Sequence, residues 1–295
     1  IHSVFSAVTA VTSRSYHPVR SIGIYNFGAR ARPDGMDQHN SFRESIENGD
    51  VVLGARSVTF SPTVIEVYGE IGIDFVWLDF EHQGPSPYDS TLFEDLTRAA
   101  EVGGTELFVR LPSAEPDLIR KVLDAGVRNV FIPRVDSAEE VRRAAKATRF
   151  VYDGEPGERG LASGRSRTWG SADDYVETED EEVCLGVMIE KTTAVDDLDN
   201  ILDVPELGFV FIGPSDLSVQ MGHPNEKSHP EVQDQIADIQ RQCLDADVPM
   251  GCIANTPEAV AEAIDDGHQI IRMGGDLSSA KSVLSERLDR IDDLR

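Results

Sequence analysis

The chain has 295 residues and a mass of 32.4 kDa, and its 53 acidic and 27 basic residues give a formal net charge of −26 at pH 7. A field of that sign repels nucleic acid and anionic membranes, so neither is an expected partner. The acids are distributed along the chain, as they are on the solvated surfaces of halophilic proteins. No apolar run reaches the roughly 18 residues of a membrane-spanning helix, so we expect none.

The N-terminal segment differs from the rest in composition. Residues 1–33 contain four arginines and no acid, after which the acidic composition begins abruptly. We predict an N-terminal extension over 1–40, outside the working fold, and one barrel domain over 41–295; in this hypothesis Met36 is the first residue of the functional protein. A targeting peptide is the alternative, although no compact apolar stretch with a cleavage site is visible.

Short β-branched apolar runs alternate with amphipathic segments from residue 50 onward. The runs predict eight strands, at 51–57, 75–80, 106–111, 129–135, 183–190, 209–214, 249–254 and 269–274. The segments between them predict helices at 62–72, 91–103, 115–127, 138–150, 231–248 and 257–267. Strands separated by helices pair in parallel, and eight such units in about 240 residues favour a closed (β/α)8 TIM barrel over an open sheet.

Unusual polar residues stand where several of these strands end. They are Asp79, Glu81, His82, Arg110, Glu190 and Asp216. The active site of a TIM barrel lies at the C-terminal ends of its strands, so we expect these side chains to meet at the barrel mouth. Any one of them alone could be an ordinary solvated loop residue; their shared location is the argument.

Glu190 and Asp216 are the candidate metal ligands. They close adjacent strands of the predicted barrel, and a hard cation such as Mg²⁺ or Mn²⁺ binds carboxylate oxygens while a substrate supplies further ligands. A 2-oxo acid held there could form an enolate under Lewis-acid stabilisation, which carbon–carbon cleavage beside a carbonyl requires. His82 is a candidate acid or base, and Arg110 is a candidate to hold the developing oxyanion.

Three alternatives stay open at this point. His82 could be structural, and Arg110 could simply pair with Glu81. Lys191 could form a Schiff base with a ketone, but strand side chains alternate, so Lys191 faces the helices if Glu190 faces the mouth.

The connection 153–182 is rich in glycine and has no strong periodicity, which is typical of a lid or a binding loop. Its arginines, Arg159, Arg165 and Arg167, could bind a carboxylate or a phosphate. An ordinary surface loop is the alternative. The three cysteines, at 184, 243 and 252, lack metal-site or redox spacing, so we expect free thiols and a reducing cytoplasm.

Six ordered motifs carry a family resemblance. They are "FVWLDFEHQGP", "FVRLPS", "IRKVLDAGVRNVFIPRVDSAEEVRRAAKATRF", "VMIEKTTAVDDLDNILDVPEL", "GFVFIGPSDLSVQMGHPNEKSHPEV" and "MGGDLSSA". In this order they resemble the HpcH/HpaI aldolases, metal-dependent pyruvate aldolases that include 4-hydroxy-2-oxoheptanedioate and 2-keto-3-deoxy sugar acid aldolases. The resemblance implies a single (β/α)8 TIM barrel of the phosphoenolpyruvate/pyruvate-binding type.

The resemblance implies roles for the acids at the mouth. Glu190 and Asp216 ligate Mg²⁺ or Mn²⁺, with Co²⁺ as a further candidate, while Asp79 and Glu81 lie near the ion and its waters. The turn of Gly213, Pro214, Ser215 and Asp216 offers backbone amides to the pyruvate carboxylate.

It also implies roles for the groups that move protons and hold the substrate. His82 is the acid/base group, Asp124 of a neighbouring subunit orients that histidine, and Arg110 holds the keto oxygen of pyruvate. The family usually forms hexamers from dimers that exchange the C-terminal helix, here "SSAKSVLSERLDRI", so we expect a homo-oligomer, either a hexamer or a dimer.

Two positions and one loop depart from the family pattern. Met188 replaces a usual Gln two residues before Glu190, and Leu111 replaces a frequent Pro after Arg110. The loop "QGPSPYD" is about one residue longer than the pattern. These changes fall where the aldehyde half of a substrate would be held.

The resulting prediction is a class II aldolase that reversibly cleaves a 4-hydroxy-2-oxo acid to pyruvate and an aldehyde through a metal-stabilised enolate. Two alternatives differ from it in substrate and in class. One is an acyl-CoA carbon–carbon lyase of the citrate lyase β or malyl-CoA lyase type. The other is a barrel that binds pyruvate without turnover.

Overall fold

A closed barrel of eight parallel strands forms the centre of the fold. The computed structural model describes residues 39–292. Around the barrel the strand order is β1 (Val52–Arg56), β10 (Ile270–Gly275), β9 (Met250–Ile253), β8 (Leu207–Ile212), β7 (Cys184–Ile189), β4 (Asn129–Ile132), β3 (Glu106–Arg110) and β2 (Phe75–Asp79). Strands β5 (Val151–Tyr152) and β6 (Glu155–Pro156) form a separate antiparallel hairpin. The predicted TIM barrel and its eight strands are confirmed.

Helices connect the strands. They are α1 (Ser41–Glu47), α2 (Pro62–Glu70), α3 (Ser90–Gly103), α4 (Pro116–Asp124), α5 (Ala138–Thr148), α6 (Tyr175–Glu182), α7 (Thr192–Asp196), α8 (Leu198–Leu202), α9 (Pro214–Gln220), α10 (Pro230–Asp245), α11 (Pro257–Asp265) and α12 (Asp276–Asp292), with a 3₁₀ helix at Arg165–Gly170. Five of them begin with proline, whose fixed φ and missing N–H suit the first helical position. The six predicted helices are present, whereas α1 and the helices of the 153–182 connection were not predicted.

The barrel interior is filled by aromatic rings in its lower part. Phe108 stacks on Phe209 with ring centroids 5.1 Å apart, and Trp77 meets Phe131 and Phe211 edge-on at 4.9 Å each. Phe42 of α1 plugs the N-terminal end. Since strand side chains alternate, this packed interior gives way to the polar residues only at the C-terminal ends of the strands.

The start of the described chain is part of the barrel. Asn40, which falls inside the predicted extension, is buried, caps α1, and donates hydrogen bonds to Asn129 Oδ1 and the Glu182 carbonyl, both at 2.7 Å. The remainder of the predicted extension, including Met36, lies outside the described residues. The three cysteines are free, and none of the helices between residues 39 and 292 has the length and apolarity needed to span a bilayer.

Candidate active site

Glu190 stands directly after β7, inside the barrel mouth, and is only 2 % exposed. Its Oε1 accepts a hydrogen bond from the Arg134 backbone N–H at 2.9 Å. A methyl group at position 213 would lie 2.7 Å from Glu190 Oε2 and 2.8 Å from its Cβ. Only glycine therefore lets the end of β8 approach this carboxylate so closely.

The surroundings of Glu190 disfavour the charged form of its carboxyl group. Burial, with smaller effects from the neighbouring carboxylates of Asp216 and Glu81, raises its pKa from 4.5 to about 7, against the opposing effects of the Arg134 amide and Arg110. The negative charges of these three acids destabilise one another, and a bound cation would offset that repulsion.

Arg110, at the end of β3, is held by two acids. Its Nε and Nη2 donate to the two oxygens of Asp79 at 2.9 and 2.6 Å, and its Nη1 lies 2.9 Å from Glu81 Oε2. Nη1 also lies 3.8 Å from Met188 Sδ. An arginine has five N–H donors, so the fork on Asp79 leaves others for a substrate oxygen. The pairing with Glu81 that the sequence left open does occur, together with the stronger one to Asp79.

The pKa values of the two acids that flank Arg110 shift in opposite directions. Burial alone would raise the pKa of Asp79, but the two hydrogen bonds and the charge of Arg110 outweigh burial and lower it. Burial raises the pKa of Glu81, and Arg110 and His82 oppose that shift only in part. Asp79 is therefore an ionised anchor for the arginine, whereas Glu81 binds a proton more readily.

His82 follows β2 and is the most accessible group at the mouth. Its side chain is 62 % exposed, and Nε2 lies 3.4 Å from Glu81 Oε2. Asp124 lies elsewhere, at the end of α4. Its backbone carbonyl oxygen lies close to Gly164, and its Oδ1 is buried without a hydrogen-bond partner among the described residues. Burial raises the pKa of Asp124. Within one chain the structure does not bring Asp124 and His82 together.

Asp216 lies in the first turn of α9 rather than in an isolated turn, and its side chain is 47 % exposed. Only part of the predicted Gly213 to Asp216 amide set is free to donate. The Gly213 N–H is already bonded to the Ile189 carbonyl at 3.0 Å, and Pro214 has no N–H. The amides of Ser215 and Asp216 are the ones left.

Arg134 is a site residue that sequence reasoning missed. It follows β4 with a positive φ of 58°, which aims its N–H at Glu190 while its Nη1 reaches to within 3.8 Å of Asp216 Oδ1. Left-handed backbone is rare for a non-glycine residue and costs energy, so it marks a constrained position. No sequence signal pointed to this conformation.

The residues present suit a divalent cation at Glu190 and Asp216. Glu190 is a buried carboxylate whose Oε2 accepts no hydrogen bond from the part of the chain that the structure describes. The neighbouring acids supply oxygen, the ligand atom that Mg²⁺ and Mn²⁺ prefer. A second cluster, His223, His229 and Glu231, lies after α9. There the two imidazole rings stack with centroids 3.5 Å apart and nearly parallel planes, so their lone pairs do not converge on one ion.

Lys191, the residue proposed for a Schiff base, lies outside the barrel. Its Nζ pairs with Asp136 Oδ2 at 2.7 Å, as the alternation of strand side chains predicted. Two of the loop arginines also form ion pairs within the protein. Arg159 is buried and pairs with Glu179 at 2.6 Å, and Arg165 pairs with Glu101. These ion pairs favour the structural alternative for Arg159 and Arg165, and anion binding by the loop stays an untested possibility.

Comparison with known proteins gives consistent matches. The family model for HpcH/HpaI aldolase/citrate lyase matches residues 57–282. Over 249 residues the chain is 32 % identical to 2-keto-3-deoxy-L-rhamnonate aldolase of Escherichia coli O9:H4 (strain HS), covering 84 % of this chain and 92 % of that protein.

Two solved structures give the same picture. An HpcH/HpaI aldolase/citrate lyase family protein from Burkholderia cenocepacia J2315 aligns with a TM-score of 0.80 at 27 % identity, covering 86 % of this chain and 99 % of that one. A citrate synthase aligns with a TM-score of 0.74 at 27 % identity, covering 85 % of this chain and 97 % of that one.

Proposed function

Because the chain belongs to the HpcH/HpaI aldolase/citrate lyase family and is therefore a carbon–carbon lyase, we propose that it is a divalent-metal-dependent aldolase acting on a 4-hydroxy-2-oxo acid of the 2-keto-3-deoxy type. The products are pyruvate and an aldehyde. The observation that carries the proposal is the buried Glu190 carboxyl, whose pKa is raised to about 7 beside Asp216 and Glu81.

Glu190 and Asp216 would hold the ion, with Asp79 and Glu81 close to it. When bound, Mg²⁺, Mn²⁺ or Co²⁺ supplies Lewis-acid polarisation of the 2-oxo group. The amides of Ser215 and Asp216 orient the substrate carboxylate next to Gly213 and Pro214. The free donors of Arg110 stabilise the oxyanion that develops on the keto oxygen, while Asp79 keeps the guanidinium fixed.

His82 handles the proton in this scheme. It accepts the proton of the C4 hydroxyl as the C3–C4 bond breaks, the aldehyde leaves, and the electron pair of that bond passes into the pyruvate enolate. Protonation at C3 then completes pyruvate, so the proton removed from oxygen balances the one gained by carbon. The high exposure of His82 suits exchange with solvent, and we propose that Asp124 of a second subunit orients its ring.

Helix α12 supports the proposal of a homo-oligomer. Its large apolar side chains are all exposed, and four of the five fall on one face of the helix: Leu277, Leu284, Leu288 and Ile291. A helix face of this kind is normally buried against a partner. Exchange of α12 between subunits, as a dimer or within a hexamer, would cover it.

The decisive test of the proposed function is the loss of the glutamate. In Glu190→Gln we expect no stoichiometric Mn²⁺ binding by calorimetry and at least a 100-fold fall in pyruvate release from 4-hydroxy-2-oxo acids, measured by coupling to lactate dehydrogenase. Wild-type turnover should stop with a chelator and return with Mg²⁺. The matched control is Glu139→Gln, which removes an exposed glutamate of α5 and should change neither quantity.

Four outcomes would contradict the proposal. Mn²⁺ binding retained in Glu190→Gln would refute the ligand assignment. Turnover without metal would refute metal dependence. No turnover on any 4-hydroxy-2-oxo diacid or 2-keto-3-deoxy sugar acid, with pyruvate still bound, would favour the non-catalytic barrel, and turnover only on acyl-CoA esters would favour the CoA lyase.

A further inference from the structure

Arg272 occupies an inward-facing position near the mouth of the barrel. On β10 the buried Ile270 belongs to the aromatic interior, and Arg272, two residues on, faces the same way because strand side chains alternate. Its guanidinium carbon lies 5.9 Å from the centroid of the Trp77 ring. On the neighbouring strand β1 the same alternation from Val52 brings Arg56 to the inward face.

This guanidinium lacks an acidic partner. Neither Arg272 nor Arg56 forms an ion pair with any carboxylate between residues 39 and 292, and Arg272 Nε is buried without an acceptor. Its single hydrogen bond is a long one of 3.4 Å from Nη1 to the Gly274 carbonyl. Burial, with smaller effects from the positive charges of Arg56 and Arg110, lowers the pKa of Arg272 to about 10, and the charge of Asp79 opposes that shift only in part.

The acids that could have neutralised Arg272 are already engaged. Asp79 is held by the fork of Arg110. Asp276, at the start of α12, accepts backbone N–H groups of Val58 and Thr59 at 3.0 Å. Asp79 therefore acts on Arg272 only from a distance, and none of the described acids forms an ion pair with it.

The fully buried arginines between residues 39 and 292 all have carboxylate partners. Arg149 pairs with Glu206 at 2.9 Å, and Arg159 pairs with Glu179 at 2.6 Å. Arg272 is half-buried, and a charge that is partly removed from water without a partner is costly, so this exception calls for a ligand that supplies the missing charge. A second buried donor beside it, the indole N–H of Trp77, also has no acceptor. The region thus presents donors and positive charge but no protein acceptor.

The position of the two arginines fits the far end of a substrate. In the strand order of the barrel, β1 lies opposite β7, which carries Glu190, and β10 adjoins β1. A 2-oxo acid held at Glu190 and Asp216 that extends across the mouth would direct its aldehyde-derived end towards this edge. Arginine binds carboxylate and phosphate oxygens through paired, charge-assisted hydrogen bonds.

We propose that Arg272, together with Arg56, forms an anion subsite that binds a second, distal anionic group of the substrate. The inference rests on the proposed function for the 2-oxo acid end and adds the substrate class: a 4-hydroxy-2-oxo acid whose aldehyde half ends in a carboxylate or phosphate. Arg272 is then a specificity-determining residue, and the protein discriminates against substrates with a neutral tail.

The test compares two ligands that differ only at the tail. 2-Oxoadipate and 2-oxohexanoate share six carbons and the 2-oxo acid end, but only the first has a terminal carboxylate. Calorimetry in the presence of Mg²⁺ should show wild-type protein binding 2-oxoadipate more tightly, by about 10- to 100-fold. Arg272→Gln should remove that preference and leave the affinity for 2-oxohexanoate unchanged. Arg241→Gln, at an exposed arginine of α10, is the matched control and should keep the preference.

Two results would overturn the subsite. The first is equal affinity of the wild-type protein for 2-oxoadipate and 2-oxohexanoate. The second is an equal loss of affinity for both ligands in Arg272→Gln, because that result would mean that the arginine only packs on Trp77. If Arg272→Gln does not fold, Arg56→Gln and Arg272→Lys decide instead. Loss of the preference in Arg56→Gln with retention in Arg272→Lys supports the subsite, and no change in Arg56→Gln refutes the shared site.

A kinetic arm separates the two anion sources and the two proposals. Aldol addition of pyruvate is compared for succinic semialdehyde against butanal and for glyceraldehyde 3-phosphate against glyceraldehyde. If the ratio of kcat/KM between the anionic and the neutral aldehyde is larger for the first pair, the subsite binds a carboxylate. If the ratio is larger for the second pair, the subsite binds a phosphate. Absence of aldol turnover with an Arg272-dependent preference for 2-oxoadipate would refute the proposed function and leave the subsite intact.

Discussion

Glu190 has the most altered chemistry of the residues at the mouth because it is a buried carboxyl among other acids. Its folded-state pKa of about 7 exceeds the ordinary value of 4.5. Between those pH values the folded, metal-free protein retains a proton that the unfolded chain has lost, so this group's contribution to stability declines as pH rises through the window. A bound cation would have to displace that proton.

A pH-dependent stability difference follows for the metal-free protein. With chelator present, we expect Glu190→Gln to unfold at nearly the same temperature as wild type at pH 4.5. At pH 8 it should be more stable than wild type, by about 2 kcal/mol, because glutamine carries no buried charge. Thermal unfolding of both proteins from pH 4.5 to 8 measures this. A difference independent of pH would show that Glu190 does not titrate in this window.

At the scale of elements, strand ends and helix starts build the site together. β7 delivers Glu190 and α9 delivers Asp216, while Gly213 between β8 and α9 allows them to approach. Helix α12 has a different part: its first residue, Asp276, fixes the loop after β1, and its remaining length exposes an apolar face. One end of α12 thus organises the mouth, and the other is suited to a partner subunit.

The apolar face of α12 should set the size of the assembly. We expect the double variant Leu284→Asp, Leu288→Asp to form smaller particles than wild type, because two carboxylates on the helix face oppose its burial against another chain. Light scattering coupled to size-exclusion chromatography measures the mass. Ser285→Asp, which places an acid on the same helix outside that face, is the control. An unchanged mass in the double variant would remove α12 from the subunit interface.

For the whole molecule, the largest electrostatic fact is the net charge of −26. Like charges at this density repel one another, and the folded state brings them closer than the unfolded chain does. Salt shortens the range of that repulsion from about 10 Å at 0.1 M to about 3 Å at 1 M. Salt should therefore weaken the repulsion among the acids of the folded protein.

Salt should accordingly stabilise the folded protein. Raising KCl from 0.1 to 1 M is expected to increase Tm by more than about 2 °C, the shift that about 1 kcal/mol produces in a chain of this size. Differential scanning calorimetry measures the change, with sucrose of equal osmolality as the uncharged control. A Tm that falls or stays constant in KCl would argue against charge repulsion as a major destabilising force.

The sequence by itself determined the barrel and much of the candidate site. Apolar runs that alternate with amphipathic segments determine strands and helices locally, and parallel pairing then places Glu190, Arg110 and Asp79 at one end of the barrel. The resemblance of six motifs added roles for His82 and Asp124. The prediction of the barrel is confirmed because local periodicity and strand polarity do not depend on details of packing, whereas the roles of His82 and Asp124 stay predictions.

Only the tertiary structure decided which charges meet. It paired Arg110 with Asp79 and Arg159 with Glu179, and it turned the amide of Arg134 towards Glu190. Among the described residues it left Arg272 without an ion pair. Ion pairs depend on distances between residues far apart in the chain, and neither composition nor spacing determines those distances. The physical reason is that electrostatic energy falls with separation and rises with burial, and both quantities exist only after the chain has folded.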